Sequence, residues 1–159
     1  MLLKNSGGVL PLASGRLKRV ALIGPAADYD GTATSSYIGN YSPCEASPGG
    51  ALISDPRCDV VTLRAALEAE ASKGGFELAY APGCGVNTPN DTRGFAAALA
   101  AAAGADVVIA ALGLNTCQET ACSEGEANDR LTTLDLPGSQ LPLLQTLMVC
   151  WSARKSTLE

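Results

Sequence analysis

The fold class predicted for this 159-residue chain is α/β: a three-layer sandwich around a mainly parallel sheet, built from flavodoxin-like βα repeats and incomplete. Three observations carry that expectation. Short apolar runs alternate with longer stretches of helical spacing, in the order strand, helix, strand, helix, strand, helix. The long polar stretches at 26–60 and 113–137 follow strands, so both fall at the carboxyl ends, where ligand chemistry collects in such sheets. Finally, 47% of the residues are hydrophobic against 17% charged, enough to build a real core.

Residues 1–18 are a lead-in broken by Gly, Ser and Pro, with Leu2, Leu3, Val9, Leu10 and Leu12 as apolar anchors. The continuous run at 19–24 reads as a buried strand, stopped by Gly24-Pro25. From 26 to 60 there is no periodicity, and so long an irregular loop in a compact domain is more often functional than idle. Thr62 is a plausible N-cap for a helix to about Ser72, which Lys73-Gly74-Gly75 ends. A second strand is expected at 76–80, and a loop marked by Pro and Gly follows. The Ala-rich segment 92–103 predicts a helix closed by Gly104, serving as packing material. Residues 106–112 form the clearest strand, and Leu141, Leu144 and Leu147 are spaced for burial on a last helix from Gly138 to about Met148. Residues 149–159 lack the β-branched run that a further parallel strand needs and are set apart as an atypical tail, with Cys150 unpaired.

Composition removes several function classes. Net charge is −5 and the Lys and Arg are scattered, so nucleic acid and anionic membrane are poor partners. No apolar stretch is long enough to span a bilayer. The chain has no histidine, which excludes Ser-His-Asp and Cys-His catalysis within it and every His-containing metal site. Neither GxGxxG nor GxxxxGK[ST] occurs, which disfavours a flavodoxin-like nucleotide binder, and no cofactor or metal is expected. Carboxylates, Tyr, Lys, Ser and Cys remain. Six cysteines without a CxxC pair, together with the sequons at Asn40 and Asn90, point to an oxidising, extracellular compartment. Met1-Leu2-Leu3 runs straight into Lys4-Asn5 with no apolar leader, so a secreted protein would need more chain before it.

Five motifs occur in order: LLKNSGGVLPL at 2–12, KRVALIGPAAD at 18–28, YIGNYS at 37–42, YAPGC at 80–84 and EGEANDRLTTLDLPGSQ at 124–140. Together they resemble the C-terminal α/β sandwich of glycoside hydrolase family three, most closely its β-xylosidase-like branch. The resemblance implies that residues 1–18 are the exit from a missing N-terminal barrel and that 19–148 are part of the sandwich domain. It implies a retaining exo-glycosidase acting on a β-linked oligosaccharide or aryl glycoside, with an Asp nucleophile on the barrel and the acid/base Glu on this domain.

The branch's Glu-x-Glu-x-x-Asp-Arg falls on residues 124–130, which makes Glu124 the acid/base candidate. The chemistry requires a carboxyl that protonates the leaving oxygen and then, ionised, activates water. Glu126 and Glu119 are its rivals, because the segment 115–123 is longer than in typical relatives. Asp129 and Arg130 suit a structural ion pair that pins the loop. Asn40 and Tyr41 match the family's Gly-Asn-Tyr, where an amide and an aromatic ring suit sugar hydroxyls and stacking, although packing would serve equally. Cys117 with Cys122, and Cys44 with Cys58, are disulfide candidates that would staple the two long loops, with two pairs of free thiols as the alternative. A different class of function, a non-catalytic carbohydrate-binding or interaction module, fits the same fold.

Overall fold

Residues 2–12, 14–28, 61–114 and 135–155 are described by the computed structural model. Three strands form a parallel sheet in the order β2-β1-β3: β1 is Arg19–Ile23, β2 is Glu77–Ala81 and β3 is Val107–Ala110. Helices α1 (Leu63–Ser72), α2 (Phe95–Ala103) and α3 (Gln140–Lys155) alternate with them. The expected α/β architecture with a parallel sheet is the observed one.

β1 is the centre of the sheet because it can be buried on both faces. Val20, Ala21, Leu22 and Ile23 are at most 1% exposed. Ala21 and Ile23 face the main core, together with Ala81, Ala98, Ala102, Leu143 and Leu147 from β2, α2 and α3. The small side chains of the Ala-rich α2 let it lie close to the sheet and to α3. On the opposite face, Leu22 is in register with Tyr80, and the guanidinium of Arg64 on α1 stacks 4.5 Å from the Tyr80 ring centroid. Helices therefore cover both faces, giving the three layers. Among the described residues no helix is long and apolar enough to cross a membrane.

Local boundaries follow the predicted signals with instructive shifts. Thr62 caps α1 as expected, its hydroxyl accepting the Ala65 N–H at 3.0 Å. α2 starts at Phe95 rather than 92, because residues 92–94 form a turn closed by the Phe95 N–H donating to the Thr92 carbonyl. β3 begins after Asp106, whose carboxylate accepts the Lys18 and Arg19 N–H groups at 2.7 and 2.9 Å and fixes the register against β1. The largest difference is α3, which continues past Met148 to Lys155. No Gly or Pro interrupts 149–155, and Trp151 extends the four-residue spacing of Leu143 and Leu147. It joins Leu144, Leu147 and Met148 along a cavity of about 480 Å³ beside Val107 and Val108 of β3. Pro142 is tolerated because it sits in the first turn of the helix, where its missing N–H has no partner to lose.

Candidate active site

The carboxyl ends of the strands lie on one edge, where the chain makes three turns. β1 ends at Gly24 and enters a 3-10 turn at Pro25–Asp28. β2 runs into Pro82-Gly83-Cys84-Gly85, and β3 into Ala111-Leu112-Gly113. Gly24 has φ +126, and a Cβ built on it would stand 2.1 Å from the Ala111 carbonyl oxygen, so only glycine lets β1 turn away against β3. The chain departs from this edge after Asp28 and after Gly113, and it is tied back to it at Thr62 and at Gln140.

The base of the first loop is held by charge. The Asp28 carboxylate accepts from the Arg64 guanidinium at 2.8 Å and from the Thr62 hydroxyl at 3.3 Å, which ties residue 28 to the start of α1. Arg64 also pairs with Glu68 at 2.7 Å, and these bonds, the Glu68 bond foremost, hold its pKa above the ordinary value. Both side chains of the Arg64–Asp28 pair remain about two-fifths exposed, at 36% and 43%. Beneath them, burial pushes the Tyr80 phenol up, with the Asp28 charge adding to it.

The base of the second loop is held by a buried amide. Gln140, the first residue of α3, is 0% exposed. Its Oε1 accepts the Gly113 N–H at 2.8 Å, while its Nε2 donates to the Gly113 carbonyl at 2.8 Å and to the Val86 carbonyl at 2.6 Å. The reason lies in the strand pairing. Ala111 still pairs with β1, donating to the Ile23 carbonyl and accepting from the Ala26 N–H. Two residues further on, β1 has turned away, and the Gln140 amide takes the place of a neighbouring strand for both peptide groups of Gly113.

Ser139 and Asp91 extend this network. The Ser139 hydroxyl accepts the Asp91 N–H at 2.8 Å and donates to the Thr88 carbonyl at 3.1 Å. The Asp91 carboxylate accepts from Arg93 at 2.9 Å and from the Gly85 N–H at 3.1 Å. These bonds, Arg93 first, hold the Asp91 carboxyl below the usual carboxylate range. Gly138 brings the segments together: its φ is +57, and a Cβ there would stand 2.7 Å from the Thr88 nitrogen. Asp91, Arg93 and Cys84 line an open cavity of about 350 Å³ at the end of β2. Cys84 is a free, buried thiol whose pKa burial raises, with the Asp91 charge adding to it, so it is a poor nucleophile.

Glu119, Glu124, Glu126, Asp129, Arg130, Cys117 and Cys122 lie outside the described residues, as do Asn40, Tyr41, Cys44 and Cys58. The structure brings together the stems of the segments that carry them. Asn90 is described: it is exposed, with φ 55. Cys150 is a free, exposed thiol, as expected. Among the described residues no group of three or more His, Cys, Asp or Glu side chains is placed to hold a metal ion. Gln140 and Ser139 were not among the residues singled out by the sequence. They close the fifth motif, and the only signal available was a polar pair directly after Pro137-Gly138, where a helix start accounts for them equally well.

The described residues define a parallel α/β sandwich whose chain departs and returns at the carboxyl edge around residues 29–60 and 115–134, and the comparisons make that class specific. The profile of the Glycosyl hydrolase family 3 C-terminal domain matches residues 1–157. An exo-1,4-beta-xylosidase of Aspergillus niger is 38% identical over 154 residues, and a probable exo-1,4-beta-xylosidase of Aspergillus clavatus is 40% identical over 148. Each match covers 92% of this chain and 15% of the relative. Among solved structures, a family 3 exo-beta-xylosidase in complex with a xylobiose aziridine probe superposes with a TM-score of 0.56 at 31% identity, covering 87% of this chain and 14% of that one. A β-glucosidase from Erythrobacter marinus shares the fold, with a TM-score of 0.62 at 24% identity over 94% of this chain and 20% of its own. The chain belongs to glycosyl hydrolase family 3 and carries its C-terminal domain. It spans about 15% of the length of the curated relatives it matches.

Proposed function

We propose that this chain is part of a secreted, retaining exo-β-glycosidase of the β-xylosidase type, which removes terminal sugars from β-linked oligosaccharides. The observation that carries the reading is the family 3 match over residues 1–157, together with xylosidase relatives at 38–40% identity. Hydrolysis proceeds by double displacement. An Asp on a barrel domain attacks the anomeric carbon, while Glu124 protonates the departing oxygen and then, as carboxylate, takes a proton from water. No metal or organic cofactor takes part. Asp129 and Arg130 pin the loop, and Asn40 and Tyr41 contact the sugar.

Residues 1–18 join this domain to the barrel. The exposure of Leu2, Leu3, Val9 and Leu10, each 45–84% accessible, is consistent with a lead-in that packs against another domain. Without the barrel the chain lacks the nucleophile, and residues 1–159 alone are expected to leave xylobiose intact.

The test is to replace the matching segment of the Aspergillus niger xylosidase with residues 1–157 and compare Glu124→Gln with the parent graft. Xylobiose hydrolysis falls about a hundredfold or more in the variant. An aryl xyloside with a good leaving group loses less in its first step, because that group leaves without a proton. Unchanged xylobiose hydrolysis in Glu124→Gln transfers the acid/base role to Glu126 or Glu119.

A further inference from the structure

We infer that Gln140 is a positioning residue for the loop carrying Glu119, Glu124 and Glu126: its buried amide joins the loop's point of departure to its point of return, which fixes the loop's stems relative to the sheet. The inference rests on the proposed acid/base role of that loop for its catalytic meaning, and on the geometry alone for its structural one.

The loop departs after Gly113 and returns through Pro137 to Gln140, so one side chain spans its two ends. The contact is bidentate: Gly113 offers a donor and an acceptor on one residue, and the amide supplies the matching acceptor and donor. A hydroxyl or a single charge cannot do both in one plane. The remaining Nε2 hydrogen is committed to Val86, so the third segment at this edge, the loop after β2, is locked to the same group. With the side chain fully buried, water does not compete for these bonds. The same helix turn adds Ser139, which holds Thr88 and Asp91. Gly138 gives the backbone its turn into this arrangement without a side chain in the way.

An acid/base carboxyl must stand within a fraction of an ångström of its working position relative to a nucleophile on another domain, and a displacement of about 1 Å costs on the order of a hundredfold in rate. Fixing where residues 115–134 depart from and rejoin the sheet limits how far that carboxyl can stray. Gln140 supplies the join between the two ends.

The experiment uses residues 1–159 and two variants. Gln140→Ala removes the amide. Gln140→Glu keeps its shape but, when ionised, sets a carboxylate oxygen against the Val86 and Gly113 carbonyls. When protonated, it recovers one donor. Burial and the facing carbonyls favour the protonated form, so the variant reads as a pH switch. Hydrogen exchange at the Gly113 amide and tryptic cleavage at Arg130, the one Lys or Arg between 115 and 134, report on the loop. Exchange at Ala21 and Leu22 in β1 reports on the sheet.

At neutral pH both variants exchange at Gly113 and are cut at Arg130 at least about tenfold faster than the parent, while β1 exchange changes much less. In Gln140→Glu the excess shrinks toward the parent value as pH is lowered to about 5, which a merely space-filling role would not produce. Gly113 exchange and Arg130 cleavage within twofold of the parent overturn the inference. So does equal acceleration in β1, or an excess in Gln140→Glu that ignores pH. If the graft carrying Glu124→Gln keeps its xylobiose activity while the Gln140 variants loosen the loop, the acid/base assignment falls and the positioning role stands.

Discussion

The two loop bases at the carboxyl edge solve one problem by opposite means. At the first, Asp28 and Arg64 meet at 2.8 Å with about two-fifths of each side chain in water, so solvent and salt compete for every charge. At the second, the neutral Gln140 amide makes three hydrogen bonds at 0% exposure. An exposed ion pair is inexpensive to break because water replaces each partner. A buried amide is costly to break because its partners are left with nothing. The stronger charges therefore make the weaker clasp, and the segment proposed to carry the acid/base Glu is the one anchored in the dry site.

The largest effect is expected from Gln140→Ala. It leaves the Gly113 N–H, the Gly113 carbonyl and the Val86 carbonyl without their partner in a buried site, and the expected loss is about 3–5 kcal/mol in the free energy of local opening at this edge. Hydrogen exchange at the Gly113 amide measures it. A loss below about 1 kcal/mol would place the two clasps on the same footing.

A smaller effect is expected at the first base. Thr62→Ala removes the α1 cap and one hydrogen bond to Asp28, worth about 1 kcal/mol in a urea denaturation titration. Asp28→Asn, by contrast, alters stability slightly at low ionic strength, and its difference from the parent fades in 1 M salt, where the Debye length is about 3 Å. A salt-independent difference would mean that the Asp28–Arg64 pair acts as a buried group.

The smallest and most selective effect is acid titration of Asp91, which braces the loop bearing Val86 and Thr88. Its folded-state pKa lies below the ordinary value of about 3.9, held there by Arg93 and the Gly85 N–H. Its stabilisation is therefore complete above that value and is lost as pH falls below it, through the lower folded value. The stability gap between the parent and Asp91→Asn is expected to be constant above about pH 5 and to narrow below about pH 4. A gap that is unchanged down to pH 2 would assign Asp91 no electrostatic role.

Much of this fold was legible because its signals are local. The apolar run at 19–24 contains β1, Thr62 caps α1, and Gly104 follows α2. The last helix was read too short because Met148 and Val149 are exposed and the stripe through Leu143, Leu147 and Trp151 emerges only when the spacing is followed past them. Of the candidate site, the edge on which the loops are rooted was legible from strand order alone. Gln140 was not. A glutamine at the start of a helix looks like a solvated residue, and its burial depends on β1 turning away at Gly24, more than a hundred positions earlier in the chain.

The closed stem between Gly113 and Gln140 also bears on how such a domain diversifies. Once two ends are joined by their own clasp, the number of residues between them hardly concerns the sheet: doubling a flexible loop adds only about 0.6 kcal/mol of closure entropy. The segment between Gly113 and Gln140 can therefore change in length at little cost to the sheet. The joined segment is free to vary while the scaffold is inherited unchanged.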